Sequence, residues 1–228
     1  MLLKYQVFVL FLSLAQVTFA CCTESAGKPS FKITYSGVAA AEPYLRLLQN
    51  VYEELGFEVL PLVTPVKRGI ILLNDGSVDA DLFRLKSTAE NYDNVIVVEP
   101  ALVKGYLSLL CHKKVQCDLN VLQNTAGAIM SEANLLDLFK PGELKAKMVI
   151  NEINTKTLDM LEKQRVYYAL YTVNEKMLNN MLSKFNHVKI KDVSGYHVIN
   201  KKHAHLLPKI QQQLQQKLPL FDVNFKVL

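Results

Sequence analysis

The 228-residue sequence lacks the short motifs that mark the common catalytic and nucleotide-binding sites. It has no nucleophile elbow, no phosphate loop of the Gly-x-x-x-x-Gly-Lys type and no dinucleotide-binding fingerprint. The spacing of its acidic residues does not single out a general acid and a general base. Catalysis and a bound cofactor are therefore not expected.

The sequence also lacks the patterns of a metal site and of a nucleic-acid-binding surface. His203 and His205 are two residues apart, which on a helix directs their side chains about 200° away from each other. The formal net charge of +5 is not gathered into a dense Lys and Arg patch with interleaved aromatic residues. Neither a metal nor a nucleic acid is an expected partner.

Long apolar runs are missing after the first 20 residues, so no later segment approaches the roughly 20 residues of a membrane-spanning helix. Residues 1–20 contain Lys4, an apolar run over residues 7–15 and small residues before Ala20. This pattern predicts a cleaved signal peptide and export to the periplasm, with a membrane anchor as the alternative. Cleavage takes the formal charge from +5 to +4, because the segment holds one Lys and no acidic residue.

Cysteine is scarce, and its four positions raise two separate questions. Cys21 follows the expected cleavage point, so a lipoprotein anchored at Cys21 is an open alternative, although the bulky Phe19 departs from the bacterial lipobox. Cys111 and Cys117 lie six positions apart across a polar stretch. In an oxidising compartment they are candidates for a local disulfide, and two separate thiols are the alternative.

Hydrophobic periodicity predicts a regular alternation of strands and helices. The predicted strands are residues 31–36, 57–63, 80–85, 95–98, 106–110, 126–130, 148–153, 166–172, 188–193 and 196–199. The predicted helices are residues 44–55, 65–72, 134–139, 155–162, 173–185 and 203–218. Such alternation predicts an α/β fold with mostly parallel sheets and helices on both faces.

Three segments resemble the family 3 extracellular solute-binding proteins, the periplasmic amino-acid-binding-protein-like group associated with ABC transporters and periplasmic sensor modules. Residues 73–82 (LNDGSVDADL) look like the family's Gly-x-x-Asp strand entry, and residues 97–100 (VVEP) look like its crossover strand. Residues 163–169 (KQRVYYA) are similar to the strand that returns toward the hinge. The terminal residues 196–210 also look like those of some members.

The resemblance implies a two-lobed, periplasmic-binding-protein-like fold of type II. Lobe 1 would consist of residues 23–101 and 194–228, and lobe 2 of residues 102–193. A small molecule would lie between the lobes, and their closure would present it to an ABC permease or a membrane sensor. A monomer is implied. The alternatives are a protein-interaction module on the same fold that binds no small molecule, and an exported enzyme similar to the relatives with dehydratase activity.

The sequence departs from the amino-acid-binding members at both of their main ligand contacts. Those members carry a Thr-Pro-Glu-Arg segment whose arginine clamps the ligand's carboxylate. Here residues 87–91 read STAEN, with Asn91 at the position of the arginine. The aspartate that holds the ligand's ammonium is also missing, since residues 170–172 read LYT. An ordinary α-amino acid is therefore not the expected ligand, and anionic or aromatic character is expected instead.

Two groups of residues are the candidates for ligand contacts: polar and aromatic residues near the ends of predicted strands, since ligands of open α/β sheets bind at the carboxyl ends of strands, and residues expected at a helix start. They are Tyr35, Ser36, Arg84, Glu99, Gly127, Ser131 and Tyr171. Arg84 interrupts an apolar strand, and a bracing arginine is its structural alternative. Gly127 and Ser131 are expected to flank a helix start that attracts anions, with an N-cap role as the alternative for Ser131. Asp79 and Asp81 are expected to have structural roles.

Overall fold

The structure, a computed structural model, describes residues 27–151 and 154–221. The expected signal peptide over residues 1–20 and the candidate lipidation site at Cys21 lie outside the described residues. None of the described helices has the length and apolar character needed to cross a membrane.

Within the described residues, strands and helices alternate along most of the sequence. The strands are β1 (Ser30–Tyr35), β2 (Glu58–Val63), β3 (Ala80–Leu85), β4 (Val95–His112), β5 (Ala128–Ser131), β6 (Lys147–Ile150), β7 (Tyr168–Val173) and β8 (Phe185–Asn200). The helices are α1 (Glu42–Glu54), α2 (Val66–Asn74), α3 (Lys86–Ala89), α4 (Ala133–Leu136), α5 (Asn154–Glu162), α6 (Glu175–Met181) and α7 (Leu207–Lys217). Turns of 3₁₀ helix occupy Ala39–Ala41, Leu119–Gln123, Lys201–Leu206 and Leu218–Leu220.

The α/β prediction is confirmed, and three differences concern the lengths and the number of elements. The predicted strands 95–98 and 106–110 are parts of one 18-residue strand, β4, and the two predicted strands after residue 187 are parts of β8. Helices expected over residues 134–139 and 173–185 are shorter, as α4 and α6. The one-turn helix α3 was not predicted, because four residues are too few to show a helical period.

The strands form one sheet in the order β2-β1-β3-β8-β4-β7-β5-β6. All pairings that involve β4 or β8 are antiparallel. The other pairings, among β1, β2 and β3 and among β5, β6 and β7, are parallel. The antiparallel pair β4 and β8, called the ribbon below, thus joins two parallel groups of strands.

Helices cover both faces of the sheet on the β1 to β3 side of the ribbon. Val198 and Ile199 are neighbours in β8 and point to opposite faces. Val198 packs in a cluster with Ile70 of α2, whereas Ile199 packs in a cluster that includes Leu48 of α1 and Ile210 of α7. All five side chains are buried.

The β5 to β7 side of the ribbon repeats this two-faced arrangement. Leu109 of β4 belongs to a cluster that contains Leu122 and Leu135, and its neighbour Leu110 belongs to a cluster with Leu161 of α5 and Leu178 of α6. Successive side chains of β4 therefore pack in two separate cores on opposite faces of the sheet, which explains why the sequence of this strand is almost continuously apolar.

Cys111 and Cys117 form a disulfide, with their Cα atoms 5.6 Å apart. Cys111 is in β4 and is fully buried, and Cys117 is partly buried before the 3₁₀ turn Leu119–Gln123. The bond therefore ties the turn that leaves β4 back onto the strand. The alternative of two separate thiols does not hold in this structure.

His197 joins three elements of the core through two buried hydrogen bonds. Its Nδ1 lies 2.8 Å from the backbone oxygen of Asp81 in β3, and its Nε2 lies 2.8 Å from the hydroxyl of Tyr52 in α1. A carbonyl oxygen only accepts, so Nδ1 carries the proton and the Tyr52 hydroxyl donates to Nε2. Burial lowers the pKa of His197 to about 4, so the ring is neutral at neutral pH.

We predict that acidification destabilises the protein through His197. Between its unfolded pKa of about 6.5 and its folded pKa of about 4, the unfolded chain binds a proton that the folded protein does not. Stability is therefore lost as the pH falls through this window, by about 2 kcal/mol between pH 7.5 and pH 5. Urea unfolding at both pH values measures this loss.

The loss of stability between pH 7.5 and pH 5 should be about 2 kcal/mol smaller in His197→Gln than in the wild type, although this variant is less stable at every pH. His205→Gln, which replaces an exposed histidine, is the control and should lose as much as the wild type. Equal losses in His197→Gln and the wild type would contradict the assignment.

Candidate functional site

The carboxyl ends of strands from the two sides of the ribbon approach the same short stretch of it. The end of β3 at Leu85 pairs with Gly195 of β8, and the end of β7 at Val173 pairs with Tyr106 of β4. Tyr106 in turn pairs with Asp192, three residues from Gly195. β3 and β7 therefore point toward each other, and the region where they end is the candidate site, because ligands of α/β sheets bind at such ends.

An open depression of about 430 Å³ lies on the ribbon at this place. It is lined by Lys104, Gly105, Tyr106, Asn174, Glu175, Lys189 and Asp192. The ammonium of Lys189 lies 5.2 Å from the centre of the Tyr106 ring and 2.6 Å from a carboxylate oxygen of Asp192. The depression thus adjoins the end of β7, and most of the residues that line it are charged or polar.

Tyr35 and Ser36 are at the site on the β1 side. Tyr35 is the last residue of β1 and is partly buried, and its hydroxyl donates to a carboxylate oxygen of Glu42, 3.1 Å away. Burial, together with this neighbouring carboxylate, raises the pKa of Tyr35. Ser36 follows the strand and is exposed.

Arg84 is at the site, but its guanidinium is engaged inside the protein. Its Nη2 forms an ion pair with Oδ2 of Asp81, and the same oxygen accepts from the hydroxyl of Thr34 at 2.7 Å. An irregularity in the pairing of β3 with β8 lies between Asp81 and Arg84, and it brings residues three apart onto one face. A Cβ atom at Gly69 of α2 would lie 2.7 Å from both Nη2 and Oδ2, so the helix needs glycine there.

The Asp81 and Arg84 pair is buried, with side-chain exposures of 2% and 10%. Burial raises the pKa of Asp81 even though the guanidinium and the Thr34 hydroxyl oppose the shift. This geometry favours the bracing role of Arg84 over direct contact with a ligand.

Three buried polar atoms without a hydrogen-bond partner in the described structure are gathered on the same side. They are Oγ1 of Thr64, Nε of Arg84 and Oγ1 of Thr88. Thr64 follows β2, Arg84 is next to the end of β3, and Thr88 is in α3 directly after β3. Buried polar groups are usually paired, so these three unpaired atoms, which lie at or just after the ends of β2 and β3, single out this part of the candidate site.

Glu99 lies in β4 at the ribbon, before Pro100. Its carboxylate is about half exposed and lies 3.5 Å from the ammonium of Lys86 in α3. The pair connects the ribbon to the end of β3, and at this exposure it contributes little to stability.

Ser131 and Gly127 are at opposite ends of β5. Ser131 ends the strand at the site, and its buried hydroxyl donates to the backbone oxygen of Glu132 at 2.9 Å. Gly127 precedes the strand, and its carbonyl accepts from the amide of Lys147. The expectation that Gly127 flanks a helix start is wrong, because four strand residues separate it from the start of α4.

Tyr171 lies within β7 beside Glu132, a residue that the sequence analysis missed. Met130 of β5 pairs with Ala169 of β7 in parallel, which places Glu132 next to Tyr171 two residues further on. Burial raises the pKa of Glu132 to about 7, and burial together with the charge of Glu132 raises that of Tyr171. An acidic residue two positions after a predicted strand was the available signal.

The structure thus brings most of the expected residues to one region, on two sides of the ribbon. Tyr35, Ser36 and Arg84 are on one side, Ser131 and Tyr171 on the other, and Glu99 on the ribbon. Asp79 lies away from the site at the start of β3, where its carboxylate accepts from the amide of Lys32 and pairs with Lys202 and His203. Among the described residues, no group of three or more potential ligands is arranged to hold a metal ion.

We predict that Arg84→Met destabilises the protein by about 3 kcal/mol at pH 8, because it leaves the Asp81 carboxylate buried without its partner. The deficit should shrink toward pH 5, since protonation of Asp81 removes the unpaired charge. In the double variant Arg84→Met with Asp81→Asn the deficit should be smaller than in the single variant. Urea unfolding of the wild type, both single variants and the double variant measures the coupling, and additive losses of stability would contradict it.

Comparison with known proteins finds similarity in structure alone. No family model matches the sequence, and no curated protein matches it. Among solved structures, the ancestral amino-acid-binding protein AncCDT-1, a precursor of cyclohexadienyl dehydratase, is similar with a TM-score of 0.68 at 14% identity. That alignment covers 82% of this chain and 89% of the ancestral protein.

Two further structures represent a binding protein and a sensor. The arginine-bound form of a truncated ArgBP from T. maritima has a TM-score of 0.64 at 12% identity, over 84% of this chain and 97% of that one. A histidine kinase sensor domain with similarity to periplasmic binding proteins has a TM-score of 0.65 at 13% identity, over 85% and 92% of the two chains. At these identities the likeness establishes the fold, and the protein has the two-lobed α/β fold of the periplasmic binding proteins.

Proposed function

We propose that the protein is an exported solute-binding protein that closes two lobes on a small molecule without converting it. The observation that carries this proposal is the meeting of β3 and β7 at residues 103–106 and 192–195 of the ribbon. Strand ends that face each other across two connecting strands form a cleft whose walls come from different lobes. A solute that contacts both walls stabilises the closed arrangement.

In this proposal the described part of lobe 1 consists of residues 27–101 and 194–221, and lobe 2 consists of residues 102–193. The separate hydrophobic clusters on the two sides of the ribbon support this division, since each side can then move as a unit. Tyr35 and Ser36 from lobe 1 and Ser131 from lobe 2 are the proposed ligand contacts. Arg84 is proposed to brace lobe 1, and its contact with the solute is indirect.

Export to the periplasm is supported by the signal-like residues 1–20 and by the disulfide between Cys111 and Cys117, which suits an oxidising compartment. The closed form would be presented to an ABC transporter or to a membrane sensor. Structural similarity to both a binding protein and a sensor domain is consistent with either partner.

We expect a thermal-shift screen to find a solute that stabilises the purified protein. The panel contains amino acids, amines, organic acids, sugars and aromatic metabolites. A ligand at 100 times its dissociation constant adds about 2.7 kcal/mol of apparent stability, or roughly 5–10 °C in Tm for a protein of this size. Silence across the panel would contradict the proposal and favour the interaction module that binds no small molecule.

The same screen locates the site with a matched pair of variants. Ser36→Trp places a bulky side chain at the end of β1 and should abolish the shift. Ser183→Trp alters an exposed turn beyond α6, far from residues 103–106 and 192–195 of the ribbon, and should leave the shift unchanged. A shift that is retained in Ser36→Trp and lost in Ser183→Trp would contradict a site at the strand ends.

We further expect the hit from this screen to make the protein more compact. Closure of two lobes lowers the radius of gyration, whereas binding to one lobe alone leaves it unchanged. Small-angle X-ray scattering with and without the solute measures the difference, and Ser36→Trp with the same solute is the control. An unchanged radius with saturating solute would contradict closure.

A further inference from the structure

The ionised side chains around the cleft are mostly compensated by a neighbour of opposite charge. Arg84 pairs with Asp81, Lys86 with Glu99 and Lys189 with Asp192. In the depression, Lys104 and Glu175 add one charge of each sign. These groups leave little net charge for the recognition of an ionic solute.

Glu132 is different, because no cation compensates it in the part of the chain that the structure describes. It follows the last residue of β5 at the cleft and is only partly exposed. Its side chain does not cap α4, the helix that begins with the next residue. Burial alone accounts for the upward shift of its pKa, with no basic group acting against it.

Tyr171 is the neighbour of this carboxyl group, and it cannot neutralise it. The tyrosine ring is buried in β7, and the upward shift of its pKa keeps the phenol neutral. Above the raised pKa of Glu132, the pair therefore presents one negative charge directly after β5 and one neutral hydroxyl within the adjacent strand β7. A partly buried carboxylate without a cation is costly unless a ligand supplies the missing charge.

We propose that Glu132 binds a protonated amine of the solute, so that the protein selects small organic cations rather than anions. This inference rests on the proposed function and assigns its ligand class. The amine would donate a charge-assisted hydrogen bond to Glu132 and thereby complete the charge balance of the cleft. The arginine clamp for a carboxylate is missing at Asn91, and Arg84 is engaged by Asp81, so a carboxylate on the solute is not required.

Calorimetric titration at pH 8 tests the assignment with four probes. Putrescine, agmatine and tyramine carry a protonated amine, and succinate is the anionic comparison. We expect at least one amine to bind the wild type and succinate not to bind. Glu132→Gln should weaken that amine about 30-fold or more, because it removes a partly buried charge partner. Glu162→Gln, at an exposed position of the same lobe, should bind as the wild type does.

The stability of the ligand-free variant separates a binding role from a structural one. Glu132→Gln removes an uncompensated, partly buried charge, so we expect a higher Tm than that of the wild type at pH 8. A carboxylate with a structural role would give a lower Tm on substitution. A gain in Tm together with a loss of amine affinity supports the proposal.

The outcomes distinguish this inference from the proposed function. Equal amine affinity in Glu132→Gln and the wild type would overturn the role of Glu132. A wild type that binds only neutral or anionic solutes from the wider panel would overturn the ligand class. Either result would leave the solute-binding function standing. A wild type that binds nothing in either experiment would overturn both.

Discussion

The antiparallel pairing of β4 with β8 is the constraint on which the rest of the structure depends. Residues 95–98 pair with 197–200, and residues 103–112 pair with 185–195, so one ribbon extends through both groups of parallel strands. β3 adds to one edge of the ribbon and β7 to the other. Because these strands run toward each other, their carboxyl ends, and the residues that follow them, are brought to one place.

Close packing at the centre of the ribbon restricts which residues can occupy it. A Cβ atom at Gly195 would lie 2.7 Å from a methyl group of Val103, and one at Gly105 would collide with the carbonyl oxygen of Val173. The register of the pairing also shifts between Val98 and Val103. Small residues and a local irregularity thus let two long strands cross the region between the lobes while they remain paired.

Some polar side chains near the cleft are explained by buried partners within the protein and not by contact with a ligand. Arg84 and Asp81 satisfy each other on one face of β3, and His197 satisfies the backbone oxygen of Asp81 on the other. The irregularity in β3 makes the ion pair possible, since it turns residues 81 and 84 to the same face. Glu132 lacks such compensation among the described residues, and this difference is what suggests a role in recognition.

The sequence predicted the order of strands and helices well, because hydrophobic periodicity is a local property. The strand 80–85 was predicted with its observed bounds, and the candidates Tyr35, Ser36, Arg84 and Ser131 were placed at strand ends, where the structure has them. Gly127 was misplaced because the start of β5 was predicted two residues early and α4 is only one turn long.

The sequence by itself determined the class of fold and the alternation of elements. Only the tertiary structure decided that Arg84 is neutralised by Asp81, that Cys111 is bonded to Cys117, and that Glu132 lies beside Tyr171. The physical reason is that patterns along the chain report which face a side chain takes, whereas these pairings depend on the path of the folded backbone. That path includes the irregularity in β3 for Arg84, the turn after β4 for Cys111, and the register of β5 with β7 for Glu132.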